Sequence, residues 1–250
     1  MSSTFEVVAL IAAGVAAGIV GSAGGITSLV SYPALLVAGL PALDAAVANN
    51  VALVTCWPGS ALASGQELRG RAAWLGRWCL VAAAGGALGA GLLFVTPVDA
   101  FDRIVPWLVL GSSLVLALEP RLTAWRERRG VRDGSRTLPI PLIAVSIYNG
   151  YFGAGAGVMT LTLMLVLIDG RLATANALKN MLIGAASVSA AVVLAVSASM
   201  AWSYAVPLGA GMLVGSNLGP RLARRMPTRV LRLLIVALGL VLAVDLYRAG

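Results

Sequence analysis

The sequence has no histidine, two cysteines and a single lysine, and only 11% of its 250 residues are charged. A soluble domain carries about 25% charged residues, so this chain lacks the polar surface to cover a water-exposed globule. Cys56 and Cys79 both lie inside hydrophobic segments at no zinc spacing. Without histidine beside them, a His/Cys metal site is excluded and no metal ligand is assigned; they read as buried apolar thiols. There is no Walker loop and no nucleophile elbow, so neither an enzyme activity nor a cofactor is expected. The opening residues MSSTFEVVAL lack the basic stretch of a signal peptide, so the first hydrophobic segment is expected to stay in the mature protein.

Apolar sequence is abundant instead. Hydrophobic residues make up 59% of the chain and mean hydropathy is +0.92. Runs such as Leu80–Val95, Ile104–Leu118, Val188–Ala198 and Val230–Val244 join weakly polar neighbours to reach the roughly 20 residues of a spanning helix. They do not alternate as the strands of a membrane β-barrel do. The expected fold class is an all-α integral membrane protein. The formal net charge of +8 fits basic residues at cytoplasmic helix ends, and no nucleic-acid-binding motif accompanies it. The expected partners are therefore the lipid bilayer and a small ligand, with no nucleic acid; a homo-oligomer is compatible with the sequence.

Hydrophobic segments read at 5–40, 45–64, 72–95, 101–119, 138–168, 175–198, 202–220 and 228–247. Between them, 120–137 is the long hydrophilic connection, with six arginines. It divides the chain into a first transmembrane repeat (1–119), a cytoplasmic linker (120–137) and a second repeat (138–250). The halves match in order. GIVGSAGGI at 18–26 aligns with GYFGAGAGV at 150–158, pairing Gly21 with Gly153 and Gly25 with Gly157. AVANN at 46–50 aligns with NALKN at 176–180, pairing Asn50 with Asn180. GGALG at 85–89 aligns with GSNLG at 215–219, and Pro97 with Pro227. Duplication of this kind is common in transporters.

The first segment of each half is too long for one crossing. Residues 5–40 as a straight helix would run about 54 Å, against a hydrocarbon core of about 30 Å. Glycines interrupt both long segments, at Gly21–Gly25 and Gly153–Gly157, so each reads as helix, break and returning helix. Charge placement favours this hairpin. If each long segment crosses once, the basic residues split 10 to 8 between the two sides; if each returns, the split is 16 to 2, with Arg103 and Arg248 alone on the far side. The second distribution obeys the positive-inside rule. Each half then becomes a broken-helix hairpin followed by three transmembrane helices, the two repeats are inverted, and both termini lie outside the cytoplasm.

In such proteins ligands bind near the midplane, where broken helices meet, so the two breaks are the candidate site. Helix N–H groups that open toward a break attract anions; a glycine pair in one membrane helix alone reads equally as helix packing. Lys179, the one lysine, reads either as a cation holding an anion or as a side chain reaching the cytoplasmic interface. Asn50 and Asn180 read as ligand donors or as interhelical hydrogen bonds, and Asn49 and Asn149 are weaker candidates of the same kind. Asp44 and Asp169 read as solvated or capping residues, Asp245 as interfacial, and Trp57–Pro58 as a kink with a packed aromatic. Gly85, Gly89, Gly215 and Gly219 read as close helix contacts.

The repeated glycine breaks, the AVANN and NALKN helix starts and the third segments make the chain resemble the sulfite exporter TauE/SafE family of membrane permeases. The second half, from NGYFGAGAGVMTLTLML through NALKN to Pro227, is especially similar. The resemblance implies a secondary transporter, with export the expected direction, for a small anion such as sulfite, a sulfonate or a related sulfur-containing or organic anion. It also implies alternating access about the breaks, in a bacterial-type inner membrane. The substrate positions it implies are Gly21, Gly24, Gly25, Gly153, Gly155, Gly157, Asn50 and Asn180. The first break, GSAGG, is less glycine-rich than the family pattern, which leaves the substrate open. An anion channel and a non-transporting scaffold are the alternatives. An alkaline phosphatase reporter fused at Gly250 should be active and a fluorescent protein there dark; the reverse would sink the hairpin topology.

Overall fold

The computed structural model describes residues 4–104, scattered positions between 106 and 121, and residues 137–197 and 200–223. Most of the 101–119 segment and of the linker, and all of the 228–247 segment with Asp245 and Arg248, lie outside the described residues. Among the described residues the regular structure is α-helical, without strands. In the first half the helices are α1 (Thr4–Gly24), α2 (Ser28–Val37), α3 (Ala42–Leu53), α4 (Cys56–Ala63) and α5 (Ala72–Val95). In the second half they are α6 (Pro139–Tyr151), α7 (Ala156–Leu167), α8 (Leu172–Ser197) and α9 (Trp202–Ala223). Among the described residues, three stretches are long and apolar enough to cross a membrane: Thr4–Gly24, Ala72–Val95 and Leu172–Ala195.

Both long segments are interrupted, each by left-handed glycine. α1 ends where Gly25 turns to φ +81° and its N–H donates back to the Gly21 carbonyl. α6 ends where the N–H groups of Phe152 and Gly153 share the Tyr148 carbonyl, and Gly153 and Gly155 take φ +82° and +78°. Side chains rarely adopt such angles. The breaks are not in register with the sequence alignment. Gly157, paired with Gly25 by sequence, already belongs to the first turn of α7, because α6 stops ahead of Gly153 whereas α1 runs past Gly21. The 45–64 segment is also split, between α3 and α4. Pro58 cannot donate to the Val54 carbonyl, and the turn tightens so that Trp57 N–H bonds it instead. The kink read at Trp57–Pro58 therefore falls just upstream of it.

Small residues set the packing. A Cβ added at Gly14 or Gly18 of α1 would collide with backbone of Leu208 or Met212 of α9, and one at Gly215 or Gly219 would meet Val15 or Ile19. Contacts that advance together along both chains mean that α1 and α9 run parallel. Gly85 and Gly89 of α5 approach Ile143 and Ile147 of α6 in the same sense, and Gly150 approaches Gly86. Gly85, Gly89, Gly215 and Gly219 are thus the close helix contacts their spacing predicts.

One apolar cluster joins Leu138 and Leu142 at the start of α6 to Leu161, Met164 and Leu165 toward the end of α7, together with Trp78 near the start of α5. At that end Asp169 is no isolated solvated residue. It accepts from Arg71 at 2.7 Å and from Arg171 at 3.1 Å, tying the α4–α5 connection to the α7–α8 connection. Elsewhere the distribution is that of a protein in lipid. Leu80, Phe94 and Val192 face outward, whereas Asn49, Asn50, Lys179 and Ser187 are buried.

Two outcomes follow. Gly150→Leu should abolish the folded monodisperse species in size-exclusion chromatography, because overpacking costs about 1–3 kcal/mol or more; Gly91→Leu, with open space around its Cβ, should leave it intact. The Arg171 side-chain hydrogen bond holds the Asp169 carboxyl below the usual carboxylate range, against the opposing effect of partial burial. Its stabilisation is therefore present above pH of about 4 and lost as pH falls through the lowered value. Asp169→Asn should cost about 1 kcal/mol at neutral pH, and its melting curve should converge with that of the unmodified protein at strongly acid pH.

Candidate functional site

The two breaks meet. A Cβ on Gly25 would collide with the Gly157 carbonyl and the Val158 nitrogen, and one on Gly157 would collide with the Gly25 backbone. Main chain from one half therefore touches main chain from the other, at the start of α7. Beside this contact lies a cavity of about 40 Å³, room for roughly three waters at 10–15 Å³ of such volume each. α1 and its break contribute Gly21, Ser22, Gly25 and Thr27, with Ser28 at the start of α2; the second break contributes Asn149, Gly153 and Gly157. α4 supplies Cys56, Trp57 and Ser60, and α8 supplies Lys179, Asn180 and Gly184.

Six of the sequence candidates thus come together around one space: Gly21, Gly25, Gly153, Gly157, Lys179 and Asn180. Three do not line it. Gly24 ends α1 with only the Ile26 side chain near its Cβ position. Gly155 caps α7 through its left-handed angle. Asn50 is fully buried behind Gly153, its amide nitrogen donating to the Ala46 carbonyl at 3.2 Å and the Gly150 carbonyl at 3.5 Å.

Lys179 does not reach an interface. It is the eighth residue of α8 and only 1% exposed, and its Nζ donates to the Gly21 carbonyl at 3.0 Å. Asn176 and Asn180 donate to the next exposed carbonyl, that of Ser22, at 2.8 and 3.2 Å. Positions 176, 179 and 180 share one helix face, so α8 grips the unwinding end of α1 with a polar face that is legible as i, i+3, i+4 in the sequence. Asn149, a weaker candidate by sequence, donates to Ser187 Oγ at 3.2 Å and lines the cavity. Asn49 donates to Ser28 Oγ at 3.0 Å.

The hydroxyl and thiol groups beside the glycines were not singled out by sequence. Ser22, Thr27, Ser28 and Ser60 stand one or a few residues from a break or on a neighbouring helix; small polar residues next to glycine carry no signal of their own in apolar sequence. Trp57 packs its ring against Gly184, and its buried Nε1 has no hydrogen-bond partner.

Chemically, the cavity offers donors and one cation. Among the described residues, Lys179 is the only charged one that lines it, and no carboxylate does. A buried ammonium held by a neutral carbonyl is strongly favoured by a nearby anion. The main-chain bonds at the first break also leave the N–H groups of Thr27 and Ser28, at the start of α2, without a main-chain acceptor, and helix N-termini complement negative charge.

Comparison with known proteins gives the family. The family model described as Sulfite exporter TauE/SafE matches residues 10–246. The chain is 28% identical to a "Probable membrane transporter protein ORF9" of Sinorhizobium sp, over 92% of this chain and 88% of that protein. It is 27% identical to the "Probable membrane transporter protein YfcA" of Escherichia coli K12, over 92% and 85%. A "Probable membrane transporter protein" of Haemophilus influenzae is 25% identical, over 91% and 89%. No solved structure matches. Family and relatives point to a membrane transporter rather than an enzyme.

If Lys179 holds the bound ligand, Lys179→Met should leave the melting temperature within a few degrees while lowering anion affinity by about tenfold or more, the effect of removing ~1.4 kcal/mol of binding. Isothermal titration with sulfite would measure it, and unchanged affinity would exclude the contact.

Proposed function

Because this chain belongs to the sulfite exporter TauE/SafE family, we propose that it is a plasma-membrane secondary transporter of a small oxyanion, sulfite being the first candidate. The observation that carries the proposal is the buried Lys179 ammonium in a cavity between the two breaks that no carboxylate lines among the described residues. The size of the space supports a compact ligand. About 40 Å³ suits an ion of about four heavy atoms, whereas a long-chain sulfonate requires the breaks to part.

The mechanism we infer is alternating access by two inverted repeats, 1–119 and 138–250, joined by a cytoplasmic linker at 120–137. Three features support it. The start of α6 and the end of α7 share one apolar cluster, as a hairpin requires. α1 runs parallel to α9 and α5 to α6, the pairing that a two-fold axis in the membrane plane generates. The breaks touch through glycine backbone, so no side chains interlock at the pivot itself, and rocking exchanges the bonds that Asn176, Lys179 and Asn180 make to α1. In this mechanism Gly25 and Gly157 form the pivot, Lys179 neutralises the anion, and Asn180 and the first N–H groups of α2 orient it. Gly24, Gly155 and Asn50 shape the breaks.

Proteoliposome flux tests the proposal. Sulfite movement should be saturable and should fall to background in Gly157→Leu and Lys179→Met, with the Lys179 variant still folded. Flux that rises linearly with concentration would identify a channel, and no flux of any small anion would identify a scaffold.

A further inference from the structure

The second break holds an arrangement of oxygens that the anion reading does not use. Asn50 Oδ1 is buried and has no hydrogen-bond partner, although leaving a buried amide oxygen unpaired costs about 1–3 kcal/mol. It faces Gly153. From the position that a Cβ on Gly153 would take, the Asn149 carbonyl oxygen is 3.3 Å away, Ser28 Oγ 3.4 Å and Asn50 Oδ1 3.7 Å. Glycine puts no side chain between these oxygens, and Ser28, Asn149 and Gly153 line the cavity beside them. The Asn149 carbonyl belongs to the last turn of α6 and receives no main-chain donor from the break, so the negative end of the helix opens here. Ser28, Asn50 and Asn149 are at most 3% exposed.

The first break carries a cation instead. Gly21 is the partner of Gly153 in the repeat, and its carbonyl receives the Lys179 ammonium. In the first half, the residue corresponding to Lys179 is Asn49, a neutral amide. Each break has one buried amide oxygen without a partner, on Asn176 at the first and on Asn50 at the second, but only the first carries a built-in cation.

We propose that the Asn50–Ser28–Asn149 oxygens bind a sodium ion that is co-transported with the anion. Hard cations take oxygen ligands, and unwound carbonyls with half-helix C-termini suit monovalent ions. Without a carboxylate the set does not balance a divalent charge, and none of the three oxygens titrates, so a proton is not the occupant. Ser28, Asn149 and Gly153 also line the anion cavity, so sodium and Lys179 flank the anion together. Each ligand then raises the affinity for the other by the same factor.

The test uses the full-length protein in detergent, with its thermal unfolding followed in sodium, potassium or N-methylglucamine chloride at equal ionic strength. Sodium should raise the melting temperature saturably, by about 5 °C, and potassium should not. Ser28→Ala and Asn50→Ala should lose the sodium response; Ser28→Ala serves if the Asn50 variant does not fold. Lys179→Met should keep it. Sulfite affinity should rise with sodium in the unmodified protein. A melting temperature indifferent to sodium, with sulfite binding intact, would mean that the oxygens hold water and would overturn this inference while leaving the anion reading. A sodium response that sulfite leaves unchanged would retain the cation site and overturn the coupling. An equal response to potassium would overturn the assignment to sodium.

Discussion

Gly25 and Gly157 meet backbone to backbone, and the arrangement of the cavity depends on that contact. Two main chains approach this closely only where neither carries a side chain. The approach brings the first turns of α2 and α7 to one place and creates a polar space inside an otherwise apolar bundle. Non-helical backbone at membrane depth is tolerated only where protein or a wet cavity satisfies it. Here α8 satisfies it from one side through Asn176, Lys179 and Asn180, and α3 satisfies it from the other through Asn50. The buried asparagines and the lysine thus go with the breaks: the Gly21, Ser22 and Gly150 carbonyls each receive a donor from a neighbouring helix.

The same economy of side chains governs the rest of the bundle. Between helices in lipid there is no hydrophobic driving force, so association relies on close packing of small residues. α1 with α9, and α5 with α6, achieve it through glycines that admit the neighbouring backbone. Larger apolar side chains such as Leu80 and Val192 are left to face outward. A soluble protein of this composition would invert the pattern.

Much of this was legible in the sequence because the constraints are coarse. Segment length against bilayer thickness reveals two over-long segments, and glycine spacing locates their interruptions within a few residues. Gly85, Gly89, Gly215 and Gly219 are where small-residue packing expects them. The exact register of the breaks was not legible. Both GSAGG and GAGAG offer several glycines, and which one turns left-handed depends on the tertiary contact between Gly25 and Gly157. For the same reason the cavity missed Gly24, Gly155 and Asn50. The role of Lys179 was undecidable by sequence, since a lysine seven residues into a helix can reach either an interface or a neighbour; the decision falls to the Gly21 carbonyl, 158 positions away in the chain. The split of α3 from α4 followed from a proline visible in the sequence, but the displaced hydrogen bond lies upstream of it.

The proposed repeat symmetry accounts for the parallel pairs α1–α9 and α5–α6, and departure from it for the charge that stands at one break. Two identical halves would place the same group at both breaks, either two ammonium ions that repel or two sets of bare oxygens that leave an anion unneutralised. The chain instead carries Lys179 in one half and Asn49 in the corresponding position of the other. The positive charge therefore stands against the first break alone, and the second retains unpaired oxygen at Asn50. An anion between the breaks meets a fixed cation on one side and a neutral, oxygen-rich surface on the other. A cation over that surface would strengthen the hold on the anion. If sodium occupies the second break as proposed, this asymmetry couples the two ligands, each favouring the other.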